Sequence, residues 1–161
     1  MSRVSRGAVR ELERPMSGFE PGDIVEIRTD RGFAYVQVTH NHVSYPEVVR
    51  ALPGIHDRRP KAPADLATGE TAFTAMLPLG RILERGGLTG EKVASAAVPE
   101  ALKNFPTFKM PIRDRRGEIA YWWYWDGEGL RYDADPSDAP DDMPAREVMT
   151  AKAFVERLAT L

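Results

Sequence analysis

The chain has 161 residues, 42% of them apolar and 29% charged, with a formal net charge of −2 and no cysteine. That balance suits one globular domain with a core large enough to need no covalent staples. The missing thiols remove disulfides, thiolate-bound zinc or iron–sulfur clusters and cysteine nucleophiles, and the slightly negative charge argues against bulk electrostatic binding of nucleic acid.

The first 18 residues, MSRVSRGAVRELERPMSG, are rich in Arg and lack the apolar run of a secretory signal. They are expected to form a flexible tail, followed by a single β-rich domain over residues 19–161. No later stretch approaches the ~20 apolar residues of a membrane span, so no membrane is expected and the cytoplasm is the expected compartment.

Pro21-Gly22 opens the first element, and residues 24–28 (IVEIR) are rich in branched side chains and predict a strand. Asp30-Arg31-Gly32 supplies a turn. The returning strand, residues 33–39, puts Ala34, Val36 and Val38 on one face and Phe33, Tyr35 and Gln37 on the other. Residues 47–52 predict a third strand, ended by Pro53-Gly54. Residues 57–69 are polar, carry Pro60 and Pro63, and predict a long excursion. Residues 73–77 and 79–83 are short apolar runs separated by Pro78. Gly86-Gly87 and Gly90 then precede a strand at 92–97, and Pro99 suits the first position of a short helical turn over 99–104.

A second meander is the most regular part of the chain. Residues 107–113 lead to the turn Asp114-Arg115-Arg116-Gly117, residues 118–125 run back to Asp126-Gly127, and residues 130–132 return again. An acidic, Pro-containing loop covers residues 133–143. Residues 146–149 suggest a last edge strand, and Thr150 suits the N-cap of a closing helix at 151–159, with Phe154, Leu158 and Leu161 on one side. The expected class is therefore α+β and β-rich: antiparallel meanders forming a strongly bent sheet or small open barrel, with a C-terminal helix.

The run YWWYW at residues 121–125 contains every tryptophan of the chain. On a strand, Tyr121, Trp123 and Trp125 face one way and Trp122 and Tyr124 the other, so both faces are aromatic. Either the strand is covered on both sides, with the long excursion as the natural cover, or one row meets a partner. Tyr and Trp suit interface anchors because they pair a large apolar area with a polar tip. The expectation is one row in the core and the other partly exposed, close to Asp126 and Glu128.

The acidic stretch Asp133, Asp135, Asp138, Asp141 and Asp142 is the strongest charge feature. It is either a solvated loop, in which Lys109, Arg113, Arg115 and Arg116 neutralise some of the carboxylates, or a docking surface for a cationic partner. The histidines of His40-Asn41-His42 share a strand face at a spacing metal sites use, yet no motif places a third ligand, and a polar strand end is the simpler reading. The glycine-rich Gly86-to-Lys92 stretch lacks the Gly-Lys and Ser or Thr of a phosphate loop. No catalytic motif, cofactor or metal is indicated.

The opening Gly22-Asp23-Ile24-Val25-Glu26-Ile27, the hairpin through Phe33-Ala34-Tyr35-Val36-Gln37-Val38, the later Phe105-Pro106-Thr107-Phe108, the Trp-rich strand with Asp126-Gly127, and the closing strand and helix together resemble the immunity protein 26 family. The resemblance spans roughly residues 20–160. The excursion between Arg58 and Phe73 and the crowded tryptophans depart from it. It implies a non-catalytic bacterial protein that binds and neutralises a cognate toxin. The expected binding residues are Trp122, Tyr124, Trp125, Asp126, Glu128, Asp133, Asp135 and Asp138, facing a cationic protein. The alternative is a small-ligand protein or enzyme with an aromatic-lined pocket holding groups such as His40, His42 or Tyr121.

Overall fold

Branched and aromatic residues alternating between turns start the larger of two sheets. The computed structural model describes residues 18–42, 45–133, 143–145 and 149–161, with residues 132 and 133 placed by their backbone. Strands β1 (Asp23–Thr29), β2 (Gly32–His42), β3 (Tyr45–His56) and β4 (Phe73–Leu77) form an antiparallel meander. Strand β5 (Gly90–Ser95) adds to the free side of β1, giving the order β4-β3-β2-β1-β5. The sheet is strongly bent and stays open, with β4 and β5 as its edges. Strands β6 (Phe108–Arg113), β7 (Ile119–Trp125) and β8 (Leu130–Asp133) form a second, three-stranded antiparallel sheet.

Three local outcomes refine the expectations from sequence. β3 does not stop at Pro53-Gly54 but runs on to His56, because a register shift between Phe33 and Tyr35 absorbs the pair as a bulge. The run before Pro78 is the edge strand β4. The run after it is a short helix, α1 (Leu79–Glu84), as expected where a residue without an N–H interrupts a ladder. The excursion is not structureless, since a 3₁₀ helix spans Pro63–Thr68, and another short one spans Glu100–Leu102.

One face of the large sheet is aliphatic. Val25 and Ile27, Ala34, Val36 and Val38, Val49 and Ala51, and Ala75 and Leu77 pack there against Phe154 and Leu158 of helix α2 (Ala151–Leu158). The Thr150 hydroxyl caps that helix, accepting from the Ala153 N–H at 3.1 Å. The opposite face has two covers. Leu66 and Ala67 of the excursion lie over Ile24, Tyr35 and Leu52. Farther along, Phe108 lies over Val48 and Met76, joined by Tyr45, Phe105 and Trp125. The excursion thus covers the large sheet, where one of the two readings of the aromatic strand had set it over β7.

Polar groups fill the space between these covers, and each is satisfied as burial demands. Gln37 is fully buried, and its Nε2 donates to the Ala96 carbonyl at 2.9 Å. Arg50 Nε donates to Gln37 Oε1 at 2.8 Å, and its Nη1 and Nη2 reach Thr71 Oγ1 at 3.1 Å and the carbonyls of Gly69 and Ala67. From the excursion, Arg59 makes a bidentate contact with Glu26 at 2.9 and 3.1 Å, and Tyr35 donates to the same carboxylate at 2.7 Å. Arg59 holds the Glu26 carboxyl below its ordinary range, while burial and then the Glu26 bond push the Tyr35 phenol up. Two arginines, one from each side, latch the excursion to the sheet.

A short stretch near the C-terminus serves both sheets. Lys109 of β6 donates its N–H to the Pro144 carbonyl at 2.9 Å and bridges Ala145 in parallel, and the Met149 N–H donates to Met76 of β4 at 3.0 Å. The edge strand expected at 146–149 falls largely on residues 146–148, outside the described residues, as does all but the last residue of the tail expected at 1–18. No helix among the described residues is long and apolar enough to cross a membrane.

Candidate protein-interaction site

Register decides which side chains share a face of the small sheet. Phe108 pairs with Trp125, Met110 with Trp123 and Ile112 with Tyr121 between β6 and β7, and Leu130 of β8 pairs with Trp125. This face is apolar and aromatic throughout. The opposite face carries Lys109, Pro111, Trp122, Tyr124 and Arg131. There Lys109 Nζ lies 5.1 Å from the centre of the Trp122 ring, and the Arg131 guanidinium 4.8 Å from that of Tyr124. Cations over ring faces cover aromatic surface while keeping their charge in water.

Burial follows neither face of β7, since Tyr124 alone is buried while Tyr121, Trp122, Trp123 and Trp125 are all half-buried. At the end next to Asp126, Tyr124 is 5% exposed, and Trp125 packs into the cluster that joins the sheets. Its ring meets Phe105 edge-on at 5.0 Å and Tyr45 at 5.9 Å. At the other end Tyr121, Trp122 and Trp123 are half-buried and Ala120 is exposed. The expectation of one buried and one exposed row is therefore corrected. Neither row is wholly core: Trp125 meets the large sheet through Phe105 and Tyr45 yet stays half-buried, and the one buried ring, Tyr124, belongs to the other row. Tyr124 is too buried to meet a partner with its ring face.

The acids sit beside the docked end. Asp126 Oδ1 accepts from the N–H groups of Glu128 and Gly129, each at 2.9 Å, and these bonds, Gly129 first, hold the carboxyl below the usual range. Its first role is thus to build the β7–β8 turn. Gly127 in that turn has φ +92° and lies against Phe105, so close that a Cβ would stand 2.9 Å from the ring. The Trp-Asp-Gly turn is a docking device. A cleft of about 190 Å³ beside it brings together Tyr124, Asp126, Leu130 and Arg131, and Leu130, at 54%, is the one large hydrophobic side chain exposed among the described residues.

Glu128 is exposed next to Asp126, and the Asp133 backbone pairs with Trp122. Asp135 and Asp138, with Asp141 and Asp142, lie outside the described residues. Arg113, Arg115 and Arg116 stand exposed at the opposite, half-buried end of β7. Asp114 closes that hairpin by accepting from the N–H groups of Arg116 at 2.8 Å and Glu118 at 3.1 Å. The described part of the small sheet thus carries an acidic rim at one end and a basic rim at the other.

The histidines do not converge. A register shift separates His40 from His42. His40 packs edge-on against Phe105 and its Nε2 donates to the Lys103 carbonyl at 3.0 Å, while His42 stacks on Tyr45. Among the described residues no group of three or more His, Asp or Glu is placed to hold a metal ion. Two features escaped the sequence reading. Arg50 is a lone charge inside the apolar run VVRAL, a pattern that signals a buried polar contact. Phe105, the hub of the ring cluster, sits in a loop where no periodicity singles it out.

No family model matches the chain, and neither a curated protein nor a solved structure proves similar to it.

Proposed function

We propose that this protein is a non-catalytic binding module of the immunity type, which holds a cationic protein, a toxin in the reading the resemblance suggests, against its small sheet. The supporting observation is the half-buried state of Tyr121, Trp122 and Trp123 on both faces of a sheet that, among the described residues, meets the large sheet through Phe108 and Trp125. Large rings left partly wet beside charged rims are the makings of an interface hot spot. Exposed Leu130 with Asp126 and Glu128 adds an apolar contact edged by acid, and the acidic residues 133–142 continue from it in sequence. A cationic partner is steered by such charge, with an association rate that falls as salt rises.

Affinity capture from the native host's lysate at low and high salt tests this reading, with the wild type beside Asp126→Lys/Glu128→Lys, Trp123→Ser and Arg115→Glu/Arg116→Glu. The reading requires a single cationic protein, held less well at high salt, lost with the acidic-rim and Trp123 variants, and kept by the basic-rim variant. Retention that ignores the acidic rim, or that depends on Arg115 and Arg116 instead, refutes it.

A further inference from the structure

On the second face of the large sheet, in the seam between β2, β3 and β4 and the Phe105 loop, lies a cavity of about 190 Å³. Thr39, His40, Arg50 and Thr74 line one side, and Asn104 and Phe105 the other. We infer that this cavity binds a small carboxylate, drawn by the charge of Arg50. The site is separate from the small-sheet surface and does not depend on it.

The first argument is charge. Arg50 is 1% exposed, and its four hydrogen-bond acceptors, Gln37 Oε1, Thr71 Oγ1 and the carbonyls of Gly69 and Ala67, are all neutral. The ion pairs among the described residues join Arg59 to Glu26 and Glu91, Lys92 to Asp23 and Lys103 to Glu100, and none reaches Arg50. A buried cation facing only dipoles keeps much of its desolvation cost, which an anion alongside would offset. Burial accordingly depresses the proton affinity of the guanidinium. Four acceptors also leave one of the five guanidinium N–H groups, on Nη2, without a protein acceptor.

The second argument is the lining. No carboxylate borders the cavity, so nothing there repels an anion. The hydroxyl of Thr74 and the amide of Asn104 are donors suited to carboxylate oxygens, whereas the Thr39 hydroxyl is engaged by the Val48 carbonyl and the His40 ring, and Phe105 offers an apolar wall for a short carbon chain. His40 acts as wall and not as base, because its ring is tied at both nitrogens, to Thr39 Oγ1 at 2.9 Å and to the Lys103 carbonyl at 3.0 Å. The volume corresponds to ~6 waters at the ~30 Å³ each occupies in the liquid, which suits a ligand between acetate and succinate in size.

Titration of the full-length protein with sodium acetate and sodium succinate, followed by amide chemical shifts against sodium chloride at matched ionic strength and pH, is the test. Saturable shifts at Thr39, His40, Thr74 and Asn104, with a dissociation constant of ~1 mM or tighter and absent with chloride, are expected. Arg50 also holds the excursion, so its removal risks unfolding. Thr74→Leu and Asn104→Leu fill the cavity without touching the contacts of Arg50, and should abolish the shifts while the fold persists. Equal shifts with chloride, no saturation, or shifts that survive both variants would each overturn the inference.

Discussion

The five-stranded sheet is covered on both faces, whereas among the described residues the three-stranded sheet meets the large one through Phe108 and Trp125, and the difference follows from what each meander finds to pack against. The large sheet has α2 on its aliphatic face and the excursion and Phe108 on the other. With water excluded from both sides, it can keep a polar row of Glu26, Gln37 and Arg50 inside, provided every group is bonded. No described helix packs on the small sheet. It relies on rings, which bury ~150–250 Å² each, and on the stems of Lys109 and Arg131 laid over them. Aliphatic residues suffice where a second layer exists, and aromatic residues stand in where it does not.

The contrast is broken most directly at the joint. Phe108→Ala and Phe154→Ala each remove a fully buried ring and should each cost about 3–5 kcal/mol. Only Phe108→Ala should uncouple the sheets. All three tryptophans lie on β7, so in this variant the fluorescence midpoint in urea should fall below that of far-UV circular dichroism, while in Phe154→Ala the two coincide. Coincident midpoints in Phe108→Ala would mean the small sheet does not hang on that ring.

A smaller effect probes the latch over the large sheet. Arg59 stabilises the charged form of Glu26, so its folded pKa lies below the ordinary value of 4.5. Such a group contributes fully above the unfolded value, and the contribution fades as pH falls through the lower folded one. Glu26→Gln should cost about 1–3 kcal/mol at neutral pH. The gap between variant and wild type should close on going from about pH 6 to about pH 3, read from urea midpoints. A gap that does not change with pH would remove the Arg59 bond as its cause.

Two glycines with positive φ make a matched pair. Gly127 (+92°) lies against Phe105, and Gly117 (+83°) has open space where a Cβ would go. Gly117→Ala should cost only backbone strain, about 1 kcal/mol, and Gly127→Ala more, up to about 3 kcal/mol, because the ring must move as well. Equal costs would show that the turn does not bear on Phe105. A further probe is Trp123→Ser, toward the 114–117 end of β7. It should cost about 1–2 kcal/mol, by the same urea assay, because half of the ring leaves water in the folded sheet, while it also removes the proposed partner contact.

Much of the framework was legible because its signals are local. Ala34, Val36 and Val38 alternate, Asp114 to Gly117 spells a turn, and Thr150 sits one residue ahead of a helical pattern. The boundary at Pro53-Gly54 was misread because a bulge, which depends on pairing with β2, lets the strand continue. Periodicity gives the two faces of β7 but cannot say where along the strand another sheet will dock, since that depends on Phe105 and Phe108 meeting Val48 and Met76 across ~30–60 residues of chain. Of the residues chosen as contacts, Glu128 is exposed and Trp122 half-buried, while Tyr124, Trp125 and Asp126 are occupied in building the small sheet. Ring content alone could not separate those roles.

Pro144 and Ala145 bond to β6, and Met149, four residues on, bonds to β4. Unpaired edges are templates on which strands from other copies add, and most proteins block each one separately with charge, a bulge or a covering element. Here two edges are guarded by one stretch, so resistance to aggregation is concentrated there. Losing the contacts of Pro144, Ala145 and Met149 would open both edges together, turning a single lesion into two sites for intermolecular strand pairing.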